Sequence, residues 1–537
     1  MNINRRSLLA APLAFSAATA LAAPRTKLSS SHQNAVNRRR RIVVQYDAWG
    51  KFGHDMDEWI DYRFDYIDEK GSQIDSIFWD LTALGYATYP SKVLKPFRQK
   101  GLDKWRKQGI DWVHRLTSET KKRNLECFWS HRISEVEMNA SGTGAGWNGT
   151  THPIKKAHPD WVIKGTWWKQ GMFNLAAKGL RDWKVRVLRE LAENYPLDGM
   201  QIDFARHTPC LPLGKQWQLR HHVTDFMRAM RTMLHEVSKK KGRPMLLAAR
   251  IPCTPAGCRK DGFDIAKWAQ DELVDILTIG SRSIDCDIAG FKKLTAGRNI
   301  KLQPCHDDHH ATDAYQYPPI EFFRGVAANW YSQGADGIVT FNWSNARPEK
   351  CKKLGTRPGP ASQRQAYREI GSPNTLRHKD KTFVVQRRGG YPWAAGYFNR
   401  NDTALLPLQL KKDVPSALIP IRVGDHVATE SAHVKDVTLR LVFFDANAKN
   451  ETAATLNGLV LKESKRDATW KDYQIFSPRP QPSSGGADNW KVNPNQKLLR
   501  VDYAVPPRLM KHGINHLTLR SRAVVKLEKV EIHVRYK

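Results

Sequence analysis

The sequence predicts an α/β fold, a (β/α)8 barrel of the TIM type, followed by a smaller all-β sandwich. Three observations predict it. From residue 42 to about 350, short apolar runs alternate with longer helical stretches, which is the order of a parallel sheet with crossover helices. These runs number eight, enough to close a barrel. Beyond about residue 376 the helical period stops, and short alternating runs between turn residues take over.

The eight runs are 42–46, 74–79, 125–129, 199–203, 245–250, 276–279, 301–304 and 337–341. Helical stretches between them include 180–195, 219–239 and 321–333; the first puts Trp183, Val187, Leu188 and Leu191 on one face. Three runs begin alike, with Asp198-Gly199, Asp275 and Asp336-Gly337, as short αβ turns repeated around a barrel would. No glycine-rich nucleotide fingerprint follows the first run, which argues against an open doubly wound sheet.

Ahead of the barrel, Asn4-Arg5-Arg6-Ser7-Leu8-Leu9 is a twin-arginine pattern. An Ala- and Leu-rich stretch follows, and Ala20-Leu21-Ala22 offers the small residues of a cleavage site. That stretch is too short to anchor in a bilayer, and no later run is long enough to span one. Residues 1–23 are therefore expected to be an export signal, for the periplasm or the medium. Residues 24–41, ending in Arg38-Arg39-Arg40-Arg41, are expected to be a disordered basic leader, and 42–350 the barrel. Residues 351–375, rich in Gly, Pro, Arg and Lys, are expected to be a surface linker. The sandwich, 376–537, has candidate strands at 383–386, 437–444, 498–504, 515–520 and 530–536, with a loop at 477–489.

A charged fraction of 26% with 41% hydrophobic residues marks a globular chain rather than a disordered one. The formal net charge of +33 either serves solubility or draws polyanions: nucleic acid, which an exported chain rarely meets, anionic lipid or cell-wall polymer, or a sulfated or carboxylated polysaccharide. Of the 18 Trp most are expected in the core, and the remainder are candidates to stack on sugar rings. The seven Cys lack paired C-x-x-C zinc spacing, and Cys253 and Cys258 are spaced for a loop disulfide.

Active sites of such barrels lie at the carboxyl ends of the strands. The residues found there are Tyr46, Asp47 and Trp49; Trp79 and Asp80; His131, Arg132 and Glu135; Asp203 and Arg206; Arg250; Arg282; His306, Asp307 and His309; then Asn342 and Trp343. The mixture suits a polar cleft of sugar size. Glycoside hydrolysis needs two carboxyl groups across the bond. Asp203 is the first catalytic candidate, with a structural salt bridge to Arg206 as its bland alternative. Asp307, roughly opposite, is its first partner, then Glu135, then Asp47. Arg132, Arg206, Arg250 and Arg282 would fork onto sulfate or carboxylate. Tyr46, Trp49, Trp79, His131, His306, His309, Asn342 and Trp343 complete the candidate substrate contacts. Consecutive residues rarely converge on one ion, so His306-Asp307-Asp308-His309-His310 is taken as an active-site loop; neither metal nor cofactor is expected.

The segment Leu197-Asp198-Gly199-Met200-Gln201-Ile202-Asp203-Phe204-Ala205-Arg206-His207-Thr208-Pro209 resembles the fourth strand of the glycosyl-hydrolase-like family ten barrels. There the pattern is Asp-Gly-x-x-x-Asp-Tyr-x-Arg and, shortly after, Pro. Asp198, Gly199, Asp203, Arg206 and Pro209 match; Phe204 replaces Tyr, and His207-Thr208 intervenes. Phe128-Trp129-Ser130-His131-Arg132 is similar to the third-strand end of related barrels, and His158-Pro159-Asp160-Trp161 to the segment before the fourth unit. The resemblance spans roughly 42–345 and implies cleavage of glycosidic bonds in cell-surface or environmental glycans. In the sandwich, Gly513-Ile514-Asn515 resembles a turn of jelly-roll sugar-binding modules. Two other classes stay open: a non-catalytic glycan-binding barrel, and a lyase on uronic acids built from His131, His306 and Arg206. The residues do not indicate an oligomeric state.

Overall fold

The structure, a computed structural model, describes residues 28–48, 50–80, 85–136, 152–168, 170–280, 283–307, 315, 318–343, 346–387, 404–475 and 495–537. The expected export signal, Trp49, Arg282, His309 and the loop 477–489 lie outside the described residues. Eight parallel strands close a barrel: β1 (Ile42–Asp47), β2 (Ile74–Asp80), β3 (Glu126–Arg132), β4 (Gly199–Asp203), β5 (Leu246–Ile251), β6 (Ile276–Ile279), β7 (Lys301–Asp307) and β8 (Ile338–Phe341), with β8 pairing back onto β1. Each lies on an apolar run seen in the sequence. No helix among the described residues is long and apolar enough to cross a membrane.

Successive side chains of a strand point to opposite faces, and here both faces are covered. Outward residues such as Val44, Ile77 and Trp129 join the helices Lys178–Asn194, Arg220–Lys241 and Ile320–Ser332 in the main core. Inward residues Val43, Phe78, Phe128, Leu246, Ile276, Cys305 and Val339 fill the barrel.

The amino end of the barrel is closed by the segment expected to be a disordered leader. Residues Ser30–Val36 form a helix whose Val36 joins the barrel interior. Arg40, 2% exposed, grips Glu126 with two hydrogen bonds of 2.6 Å, and Ser76 Oγ donates to the same carboxylate (2.7 Å). A run of four arginines looks solvated until one meets a buried partner. Replacing Arg40 by Met strands Glu126 in the interior and is expected to destabilise the fold by about 3–5 kcal/mol. Thermal unfolding of the variant checks this.

The aspartates at the strand starts have a common task. Asp75, Asp198, Asp275 and Asp336 accept hydrogen bonds from the backbone N–H of Arg41, Cys127, Leu247 and Leu302, at 2.7–2.8 Å. Each even strand thereby satisfies an amide at the start of the odd strand before it, which burial would otherwise leave costly.

Residues 351–375, expected to be a surface linker, are largely helical and pack on the barrel. Pro348 and Pro373 open helices at positions where a missing N–H does no harm. In the helix Ala361–Glu369, buried Tyr367 stacks on Tyr66 and donates to Trp343 O (2.7 Å). Cys253 and Cys258, though spaced for a loop disulfide, are free thiols, and buried Cys258 lies within the helix Pro255–Asp261.

The C-terminal region is a two-sheet sandwich. One antiparallel sheet orders Lys381–Val384, Val525–Tyr536, Val434–Phe444, Leu498–Ala504 and Lys462–Asp467. The other orders Ile419–Val423, Gly513–Ser521, Thr452–Leu456 and Leu459–Val460. It reaches the barrel rim through Gln386, whose Oε1 accepts from Ser283 Oγ, Ile284 N and Asp285 N at 2.7–3.0 Å. The side chain of Asn515 is spent inside the fold, on the backbone of Lys511 and on Asn457.

Candidate active site

The inward positions of the barrel form layers. Above the apolar layer, Gln45 donates to Ser130 Oγ (2.9 Å), Ser130 to Gln201 Oε1 (2.8 Å), and Gln201 to Thr278 Oγ1 (2.9 Å). This chain of hydrogen bonds runs across the barrel from β1 to β6. Above it, at the carboxyl ends, stand Asp47, Asp80, Arg132, Asp203, Arg250, Asp307 and Phe341.

Asp203 is 1% exposed. One oxygen accepts from Arg250 Nη1 (3.0 Å) and Gln45 Nε2 (3.4 Å), the other from the backbone amide of Arg206 (2.9 Å). The alternative pairing is therefore with Arg250 rather than with the Arg206 side chain. Asp307, fully buried on β7, lies beside Phe341 in the register of β8. Burial opposes the charge of Arg250, but Cys305, Asp203 and Asp307 around it more than offset that and raise its pKa. Arg250 thus links the two carboxylates electrostatically.

Asp47 is the open member, with 30% of its side chain exposed. Burial favours its neutral form, yet Arg132 and Arg206, with hydrogen bonds from Arg132 and Asn342, hold its carboxyl below the usual range. Asn342, in the left-handed region (φ 57°), both accepts from Asp47 N and donates to Asp47 Oδ2, each at 3.1 Å. Arg132 bridges Asp47 and Asp80, the latter at 2.9 Å. The guanidinium groups of Arg132, Arg206 and Arg250 lie 4.0–5.7 Å from the centre of the Phe341 ring. The three arginines expected to line a positive mouth are thus gathered, but among aspartates; the fourth, Arg282, is not described.

Residues 56–211 match the family model described as Glycosyl hydrolase-like 10. The matched residues lie within the barrel and its approach, from the helix after β1 to just past β4, and include Asp203, Arg206 and Pro209. Among solved structures, the chain is similar to α-L-fucosidase isoenzyme 2 from Paenibacillus thiaminolyticus (12% identity, TM-score 0.40, covering 65% of this chain and 51% of that one). It is also similar to the catalytic domain of psychrophilic chitinase B from Arthrobacter TAD20 (13%, 0.37, 63% and 97%). A third is a GH27 β-L-arabinopyranosidase from Geobacillus stearothermophilus (11%, 0.38, 92% and 99%). The chain spans about half the length of the fucosidase. No curated protein matches it.

In this barrel, several candidates taken from the strand ends point away from the mouth. Tyr46 and Trp79 face outward, and Trp79 Nε1 donates to Thr120 on the helix Trp112–Lys122. His306 packs against Phe322, Phe323 and Trp343, and Trp343 against Tyr367; both belong to the layer between barrel and helices. His131 and Glu135 join His152 and Lys184 in a buried ionic cluster behind β3. Glu135, in the left-handed region (φ 42°), is held well below the usual carboxylate range: burial opposes this, and Lys184, His131 and His152 outweigh it. Of the three expected partners of Asp203, that leaves Asp307 and Asp47 within the mouth; Asp80, also there, is held by Arg132. The group His131, His306 and Arg206, which a lyase would need, does not assemble. Sequence reasoning missed Gln45, Ser130, Gln201 and Phe341; counting two residues back from Asp47, Arg132 and Asp203 finds the first three.

Proposed function

We propose that the barrel hydrolyses glycosidic bonds of an acidic polysaccharide, with Asp203 and Asp307 as the carboxyl pair. The observation that carries this reading is their meeting across Arg250 at the carboxyl end of a closed barrel of glycoside-hydrolase type. Hydrolysis with acid and base requires such a pair. Both oxygens of Asp203 receive N–H donors, which suits a nucleophile or base and leaves proton donation to its partner. Asp47 and Asn342 stand where solvent reaches the site and suit contact with the sugar hydroxyls. The net charge of +33 supports an acidic polymer, and the twin-arginine pattern supports export to where such polymers are met.

The test incubates the chain with polygalacturonate, dextran sulfate and a neutral glucan. New reducing ends on an acidic polymer, without unsaturated sugars, are expected; unsaturated products would mean a lyase instead. A second reading, a glycan-binding barrel without catalysis, is favoured by the burial of Asp203 and Asp307, at most 1% exposed. It requires binding with no bond cleavage.

A further inference from the structure

The long excursion between β2 and the helix Trp112–Lys122 is strongly basic, with seven Lys and Arg against Asp103 and Asp111. Lys92, Lys95, Arg98, Lys100, Lys104 and Lys107 are all exposed. The acid among them, Asp103, is engaged by Arg98 (3.3 Å) and Arg106 (2.8 Å). In the helix Lys100–Lys107, Lys100, Lys104 and Lys107 are spaced to share one face. This helix is locked against the loop that follows β1. A Cβ on Gly53 would lie 2.6 Å from Gly101 Cα, and one on Gly101 2.1 Å from Phe52 O, so only glycine permits the approach. Lys104 Nζ donates to Gly53 O (2.7 Å) and Trp105 Nε1 to His54 O (2.9 Å). At this junction lies a groove of about 780 Å³, lined by Phe52, Gly53, Lys100, Lys104, Lys107 and, as its one acid, Asp103 among others. Both segments leave the carboxyl ends of strands, so the groove belongs to the face on which Asp47 opens.

We propose that this basic groove is an extended subsite that holds an anionic stretch of polysaccharide away from the bond being cleaved. The proposal rests on the reading of the barrel as acting on an acidic glycan, and it places the recognition of acidity on the rim. The arginines of the mouth stand among Asp47, Asp80, Asp203 and Asp307, which balance their charge. Among the described residues, Lys92, Lys95, Lys100, Lys104 and Lys107 form no ion pair with an acid. A track of separated cations matches a polymer with charges at intervals, carboxylate or sulfate, better than one small anion. Single-stranded nucleic acid would want exposed aromatic platforms. Phe52, the aromatic residue lining the groove among the described residues, is buried.

The experiment reads binding, with full-length chains. One variant carries Lys92→Ser, Lys95→Ser, Lys100→Ser and Lys107→Ser. A control removes the same charge from exposed sandwich positions, with Lys411→Ser, Lys412→Ser, Lys462→Ser and Lys465→Ser. Probes are immobilised polygalacturonate, dextran sulfate and neutral dextran. The rim variant is expected to lose affinity for one or both anionic probes by about tenfold or more, with the control within about twofold, and the difference should shrink as salt is raised. Equal loss in both variants, or none in the rim variant, would overturn the subsite. So would parental binding to neutral dextran as tight as to the anionic probes, or equal displacement by a single-stranded oligonucleotide. Because cleavage is not read, a barrel that proves catalytically silent would remove the hydrolase reading and leave this result standing.

Discussion

Asp203→Asn is expected to leave a folded protein whose hydrolysis of an acidic polymer falls by roughly three orders of magnitude or more, the scale seen when one member of a catalytic set is neutralised. The exchange keeps the shape of the side chain and removes its charge. It also forces a choice. The amide oxygen can accept from Arg250 Nη1 or from the backbone N–H of Arg206, and the other donor then faces an NH2 group. That mismatch costs about 1–3 kcal/mol, so a lower Tm is expected, with cooperative unfolding retained. Asp307 remains beside Arg250, so that guanidinium is not stranded. The decisive readout is the rate of reducing-end release by folded variant against parent, with Asp307→Asn alongside. A near-parental rate for Asp203→Asn would mean that Asp203 serves only as counter-ion to Arg250.

The barrel was legible because its strands are covered on both faces and appear as apolar runs at regular intervals. The terminal residues of those runs were harder to interpret, since neighbours on a strand point to opposite sides. Asp47 enters the mouth while Tyr46 enters the helix layer; the same holds for Asp80 against Trp79 and Asp307 against His306. Taking both members of each pair over-filled the site with aromatics and histidines that are core. Counting in twos from Asp203 separates them. The sandwich strands found from sequence are central ones, apart from Lys381–Val384 at the end of its sheet. Lys462–Asp467, at a sheet edge, is polar throughout and shows no alternation, because most of it faces solvent. Arg40 and the helices after residue 348 escaped for a related reason: charge and proline content suggested solvent, whereas Glu126 and Tyr66 supply buried partners.

Lys184→Met is expected to destabilise the protein by about 3–5 kcal/mol, because it removes the cation from a fully buried carboxylate. Lys184 donates to Glu135, and its Nζ lies 3.1 Å from His131 Nε2, which also faces Glu135. The amide of Ile154 donates to His152 Nδ1 (3.2 Å), so Nε2 carries the hydrogen and donates to Glu135 (2.7 Å). The cluster anchors the end of β3, where Arg132 holds Asp47 and Asp80, so its loss should also loosen the mouth. Burial lowers the pKa of Lys184, His131 and His152, and Glu135 lies low because its cationic and hydrogen-bonding partners outweigh burial. All four groups bind protons more readily in the unfolded chain, so their contribution to stability rises with pH. On acidification the share of the two histidines is lost as pH falls from their ordinary value of 6.5 through their folded values. The share of Glu135 is lost below its ordinary 4.5. The parental Tm should therefore drop between about pH 7 and about pH 4. In the Lys184→Met chain, Glu135 without its cation takes up a proton on acidification, so the deficit relative to parent should narrow at low pH. Adding Glu135→Gln should recover much of the loss at neutral pH, since no buried charge is then left without its cation and the glutamine oxygen still accepts from His152. A deficit that stays constant with pH, or persists in full in the double variant, would show that Lys184 acts through packing on Phe173 and Trp183 rather than through Glu135.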